Sequence, residues 1–337
     1  MNIPELARAA INEGLLFRTW GNLSQRNGEN FLVTPSGMAY EDMTEFDLVL
    51  VYPDGSYEGG RKPSSEKPMH LALYKHFTKV NVIMHTHQPY ASAVSLLKED
   101  IQLNDEEARK LGSNLIRVSS YALPGTKKLH KGAENIAIKS DCKVILLEMH
   151  GALVMGETAE EVLENALVAE GACKRLYEKR LGKRVESPQD ELIYSIRSGD
   201  KIAFYKDGKE VEADDKTRRL HKSYYKKRYD IGVILPAKDS EIGRFYGRQM
   251  RPYLDDFAQI VGVKADSSGR YNVALLSDKA LCLGKDLEDA TAIKHILEKN
   301  ALAGNIAELS GHKPINMVES FIMNQVYQRK YSKLKDK

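Results

Sequence analysis

Two apolar periods alternate along the first part of the chain. Up to about residue 195, short apolar runs closed by turn residues alternate with segments whose apolar positions recur every three or four residues. PELARAAINEGLL predicts a helix with Pro4 in its first turn. NFLVTPSG and DLVLVYPDGSY predict strands ended by turns. In KPSSEKPMHLALYKHF, Met69, Leu73 and Phe77 fall at helical spacing, so a helix follows the serine pair. VNVIMHTH and CKVILLEMH predict short buried strands, each delivering histidine at its C-terminal end. ETAEEVLENALVAEGACKRLYEKR predicts a helix opened by a capping box of Thr158 and Glu161.

Between residues 196 and about 229 the texture changes. DGKEVEADDKTRRLHKSYYKKR is charged and without apolar periodicity, which predicts a connector or a solvated surface segment. Its mixture of bases and tyrosines also suits contact with an anion. Beyond it, VALLSDKALCLGKDLEDATAIKHILEKN echoes VILLEMHGALVMGETAEEVLENALVAEG, with His150 opposite Asp278 and Gly156 opposite Gly284. LDDFAQIVG echoes NDEEARKLG in the same way, and DIGVILPAKD echoes VNVIMHTHQP without its histidines. The expectation is a domain over 1–195 and a second, smaller domain over 196–337 that is a diverged partial copy of it.

Length and composition agree with this picture. A chain of 337 residues exceeds most single cores, and 42% hydrophobic with 29% charged residues is ordinary for a globular protein. A net charge of +3 supplies no field for binding nucleic acid. No apolar run reaches the ~18 residues of a membrane span, and the first residues do not read as a signal peptide. Cys142, Cys173 and Cys282 lie far apart in apolar or helical settings, which predicts free thiols and a cytoplasmic location.

The candidate chemistry begins with VIMHTHQPY. Side chains at i and i+2 of a strand share a face, so His85 and His87 can aim at one point. His150, from another strand, would complete three imidazoles with coordination positions left open, the arrangement of a catalytic metal. Spacing alone leaves an accidental H-x-H pair equally open, because periodicity does not fix the third ligand. Three turns suit an oxyanion: Gly21 and Asn22 in WGNLSQR, Ser36 and Gly37 in TPSG, and Ser64 and Ser65 in KPSSEK. Each turn alone is as well explained by ordinary cap and turn chemistry. Glu66 follows the serines, where burial near a metal would tune it toward acid/base work at neutral pH and a plain helix-start role is the alternative. For His70 in the same helix, packing is the default.

Together GNLSQR, TPSG, PSSEKPMH, HTHQPYASAVS, YALPGT and HGALVMG resemble the class II aldolase/adducin family, in order and over nearly all of residues 1–180. The resemblance implies a three-layer α/β/α fold with a central, largely antiparallel sheet. It implies Zn²⁺, with Mn²⁺ or Co²⁺ as alternatives, held by His85, His87 and His150. Gly21, Asn22, Ser36, Gly37, Ser64 and Ser65 match phosphate-binding positions, and Glu66 matches the catalytic acid/base. It further implies a homotetramer acting on a small sugar phosphate, with reversible cleavage of a ketose 1-phosphate to dihydroxyacetone phosphate and an aldehyde. A sugar-phosphate 4-epimerase, a 3-oxo sugar acid phosphate decarboxylase and a non-enzymatic adducin-like module are the alternatives on this scaffold. The chain departs from the family at Glu106, where the fuculose-phosphate enzyme has a tyrosine, so the aldehyde end is unassigned.

Overall fold

The computed structural model describes residues 1–182 and 192–330. The chain divides into two compact units, Met1–Leu181 and Gly182–Gln328.

In the first unit, helix α1 (Ile3–Asn12) is followed by strands β1 (Asn22–Asn27), β2 (Asn30–Val33), β3 (Val49–Val51) and β4 (Tyr57–Glu58), then helix α2 (Lys67–His76). Strand β5 (Val82–Thr86), α3 (Pro89–Val94), β6 (Ile101–Gln102), α4 (Asp105–Leu111), β7 (Leu115–Ser119) and α5 (Lys127–Ile138) come next. The hairpin β8 (Val144–Leu147) and β9 (Gly151–Gly156) leads into α6 (Ala159–Leu181). The strands form one sheet in the order β4-β3-β2-β1-β5-β9-β8-β7-β6, in which only β7 and β8 pair in parallel.

Helices cover both faces, so the central strands β5, β9 and β8 are buried throughout rather than alternating. Every residue of β5 and of β9 is buried. α2 packs on α5, and one core joins Met69 and Leu73 to Ile83, Leu129, Ile145, Leu153 and Met155. α1, α3 and α4 pack on α6. This is the expected mixed α/β fold with a largely antiparallel central sheet.

The second unit holds β10 (Tyr194–Ser198), β11 (Lys201–Lys206), β12 (Lys209–Glu210), α7 (Asp215–Lys227), β13 (Val233–Ala237), α8 (Ser240–Gly243) and α9 (Asp255–Ile260). It continues with β14 (Val273–Leu275), β15 (Ala280–Gly284), α10 (Leu287–Ser310) and α11 (Met317–Lys330). Its sheet, antiparallel throughout, runs β12-β11-β10-β13-β15-β14. The stretch β11-β10-β13-β15-β14 has the same order and senses as β2-β1-β5-β9-β8 of the first unit.

Two expectations are corrected here. The division near 195 falls inside β10, which pairs with β11 and β13 as part of the second sheet, so the unit begins earlier. The charged stretch expected as a connector is a hairpin followed by helix α7. Its buried face consists of His221, Tyr224 and Tyr225, polar aromatics that an aliphatic periodicity does not register.

Candidate active site

His85 is the next-to-last residue of β5, and His87 lies just beyond that strand. His150 sits in the turn between β8 and β9 rather than on a strand end, and its N–H donates to the Leu147 carbonyl at 3.1 Å. The turn passes through Met149, which has φ of 60°, the left-handed region that a methionine adopts only under constraint. Ser95 Oγ accepts from the Met149 N–H at 3.0 Å, and Ser92 Oγ donates to the His150 carbonyl at 3.3 Å, so α3 and the turn after it hold the bend. Gly151 follows because a Cβ there would lie 2.1 Å from the Thr86 carbonyl oxygen. Gly21 is needed for a similar reason: φ is +88°, and a Cβ would lie 2.4 Å from the His85 carbonyl oxygen.

These constraints bring three Nε2 atoms together. His85 Nε2 is 2.9 Å from His150 Nε2 and 3.2 Å from His87 Nε2. The Nδ1 of His85 faces the Ala152 carbonyl at 2.9 Å. A carbonyl only accepts, so Nδ1 carries the proton and Nε2 presents a lone pair. Burial holds the His85 imidazole well below the ordinary histidine range, with His87 and His150 adding to the effect and Glu66 opposing it. Three ring nitrogens converging on one point suit a cation. Tetrahedral zinc with its usual Zn–N length would separate two imidazole nitrogens by about 3.3 Å. The donor set therefore fits a divalent metal.

Glu66 precedes α2 and is buried. Its Oε2 is 3.4 Å from His85 Nε2 and its Oε1 3.5 Å from His150 Nε2. Burial pushes the Glu66 carboxyl up. The adjacent imidazoles and hydrogen bonds from His150 and Asn22 outweigh this and hold it well below the usual carboxylate range. The carboxylate thus faces the ring nitrogens and accepts from the Asn22 amide, as a group placed to exchange a proton beside them would.

Asn22 also differs from the simple turn reading. It is buried, and its Nδ2 donates to Glu66 Oε2 at 2.7 Å. Its Oδ1 meets Nε2 of His70, a buried histidine pushed down to about 4 by burial. Glu66, His70 and Tyr74 sit at i, i+4 and i+8 beside α2, opposite Asn22 and Ser24 at i and i+2 on β1. That pairing of a helix face with a strand face was visible in the residue numbers, once α2 was known to cover β1.

The remaining turns do converge. Ser36 N–H donates to the Lys62 carbonyl at 2.9 Å, and Ser64 N–H to the Thr34 carbonyl at 3.1 Å, which ties TPSG to KPSS. Gly37 has φ of 78°, placing it in the left-handed region. Ser64 is buried and its Oγ accepts from the Glu66 N–H at 3.2 Å, whereas Ser65 is exposed. A Cβ on Gly125 of YALPGT would lie 3.9 Å from Ser65 Oγ, so that turn borders the same place. Glu106 is exposed on α4.

Residues 1–177 match the Class II Aldolase and Adducin N-terminal domain, and the chain belongs to that family. It is 33% identical over 166 residues to the 5-methylthioribulose-1-phosphate/5-deoxyribulose-1-phosphate aldolase of Rhodospirillum rubrum, covering 49% of this chain and 74% of that protein. It is 33% identical over 160 residues to the L-fuculose phosphate aldolase of Escherichia coli K12, covering 47% and 71%. The 5-deoxy-D-ribulose 1-phosphate aldolase of Bacillus thuringiensis serovar kurstaki is 33% identical over 194 residues, with 56% and 90% covered. A solved L-fuculose 1-phosphate aldolase superposes with a TM-score of 0.50 at 28% identity, covering 56% of this chain and 90% of that one. The chain is thus an enzyme of the class II aldolase type, a carbon–carbon lyase. Among the described residues, no helix is long and apolar enough to cross a membrane.

Proposed function

We propose that the first unit catalyses reversible, zinc-dependent aldol cleavage of a ketose 1-phosphate to dihydroxyacetone phosphate and an aldehyde. The observation that carries this reading is the buried Glu66 carboxylate, lying within 3.5 Å of two of three imidazoles with converging Nε2 atoms. The relatives named above act on phosphorylated ketoses, which supports the substrate class. His85, His87 and His150 would hold the metal; nitrogen donors favour zinc, with manganese or cobalt as substitutes. A divalent cation there supplies Lewis acidity toward the substrate's carbonyl and neighbouring hydroxyl oxygens.

In the condensing direction, Glu66 takes the proton from the carbon beside the carbonyl of dihydroxyacetone phosphate. The electron pair left on that carbon forms the new bond to the aldehyde carbon, and the aldehyde oxygen takes up a proton. Glu66 then releases its own proton, so the overall reaction is proton-neutral. Cleavage runs the same steps backward. Ser36, Gly37, Ser64 and Ser65 are the group to which we assign the phosphate, remote from the reacting carbons, where its binding orients them. Gly21 and Asn22 support the metal site and Glu66 instead.

Among the described residues, the second unit reads as a diverged copy that lacks the three histidines. Ser24 pairs with Ile83 and Ser195 with Ile234, which sets His85 against Pro236 and His87 against Lys238. Ile83 pairs with Met155 and Ile234 with Leu283, which sets His150 against Asp278 counting back from β9, and against Lys279 counting on from β8; neither is a histidine. A homo-oligomer, tetrameric by family resemblance, and a cytoplasmic location complete the reading; the free, buried Cys142, Cys173 and Cys282 support a reducing compartment.

The test is a screen of ketose 1-phosphates for release of dihydroxyacetone phosphate with and without a chelator. Release that stops on metal removal is expected. Glu66→Gln should keep its metal and lose on the order of 10²–10⁴ in turnover. Carbon dioxide or an epimer as the product would overturn the assignment, and undiminished turnover would remove Glu66 from the chemistry.

A further inference from the structure

Resting on the aldolase reading of Glu66, we propose that His70 is a positioning residue for that carboxylate and acts through Asn22. The hydrogen bonds have a single permitted direction. Asn22 Nδ2 can only donate, and it does so to Glu66 Oε2 at 2.7 Å. Asn22 Oδ1 therefore faces His70 and can only accept, so His70 carries its proton on Nε2. Nδ1 is then an acceptor, and the Ser24 hydroxyl donates to it at 2.6 Å. Ser24 Oγ in turn accepts from the Tyr74 hydroxyl at 2.8 Å. Asn22, Ser24, His70 and Glu66 are all buried, so water does not substitute for any member. Reversing the Asn22 amide would set its carbonyl against the carboxylate and its NH₂ against the His70 N–H. With Ser24 donating to its Nδ1, His70 keeps its proton on Nε2 and so favours the amide orientation that holds one oxygen of Glu66.

The second unit separates the architectural part of this chain from the functional part. Ser195 Oγ is 2.7 Å from His221 Nδ1 and 3.1 Å from the Tyr225 hydroxyl. Arg197 lies over the Tyr225 ring at 4.9 Å, as Arg26 lies over Tyr74 at 4.7 Å. The tyrosine–serine–histidine pin thus occurs in both units. Counting two residues before the serine and four before the histidine, Asn22 and Glu66 are replaced by Ile193 and Thr217. Where the three histidines are missing, Ile193 and Thr217 stand in those places, and only the first unit extends the pin through an asparagine amide to a glutamate.

The experiment compares His70→Phe, His70→Gln and His221→Phe in the full chain. His70→Phe and His221→Phe should lower Tm alike. Only His70→Phe should lower kcat, by on the order of 10- to 100-fold, with KM and metal content within about twofold of wild type. His70→Gln, whose amide offers the same acceptor and donor, should regain most of the loss. An unchanged kcat in His70→Phe, an equal loss in His221→Phe, or no recovery with glutamine would overturn the proposal. Should His70→Phe not fold, Asn22→Asp takes its place, since it accepts from His70 but offers Glu66 no donor; full turnover in that variant counts against the relay. Nitrogen-15 NMR of wild type reads the relay without any assay, and a His70 proton on Nδ1 would refute it. Wild type inactive on every ketose 1-phosphate would sink the aldolase reading alone, leaving the relay to be judged by NMR.

Discussion

The Nε2 atoms of His85 and His150 face each other at 2.9 Å between the end of β5 and the β8–β9 turn. The proton on the far side of His85 is held by Ala152, so nothing on its own ring relieves that approach. A cation between the rings would, and the glycines at 21 and 151 let the backbones come close enough to place them.

Gly21→Ala should therefore damage the metal site rather than phosphate binding. The new Cβ would meet the His85 carbonyl oxygen at a left-handed φ of +88°. A loss of at least about 2 kcal/mol is expected, together with weaker metal retention. Melting curves and metal content check this. A variant with normal stability and metal but weak substrate affinity would make Gly21 a phosphate contact after all.

Arg26 and Arg197 should be matched stabilising residues, one in each unit. Arg26 donates to the carbonyls of Tyr74, Phe77 and Val80 at 2.8–3.0 Å, and Arg197 to those of Tyr225, Arg228 and Tyr229 at 2.8–3.3 Å. These carbonyls lie at and just beyond the ends of α2 and α7, where helices leave acceptors unmet. Replacement by alanine should cost about 2–3 kcal/mol in either unit, and lysine should recover less than half, because it lacks the planar fork. Calorimetry would register this as a lowered Tm. Equal stability of alanine and wild type at either position would refute it.

Stability should fall on mild acidification. His70 and His221 are each pushed down to about 4, chiefly by burial, from the ordinary 6.5. Below about pH 6.5 the unfolded chain binds protons that the folded chain refuses, so stability is complete above that pH and is lost as the pH falls toward 4. Each histidine contributes up to about 3 kcal/mol to that loss. Tm measured from pH 7 to 5, above the carboxylate range, should drop in wild type and drop less in His221→Gln. Identical slopes would show that His221 does not titrate as its burial demands.

How far the sequence reveals this molecule depends on which physical signal each part carries. The apolar runs of β5 and β8 were legible because helices bury both faces, and His85, His87 and His150 stood out at or just beyond them. The three glycine and serine turns were legible as a group only through family resemblance, and two of them do meet. Helix α7 was hidden because its buried side is histidine and tyrosine. The duty of Asn22 was hidden because a turn asparagine looks alike whether its amide faces solvent or a carboxylate. The absence of a histidine opposite His150 was read from pattern alone, and the strand registers agree with it, counting His150 onto Asp278 from β9 and onto Lys279 from β8.

Metal analysis of purified, dialysed protein tests the central claim most directly. One divalent ion per chain is expected in wild type, reduced to near none in His85→Ala and in His150→Ala while both variants stay folded. Wild type that takes up no zinc, manganese or cobalt, or variants that keep a full complement, would contradict a metal centre built on these histidines.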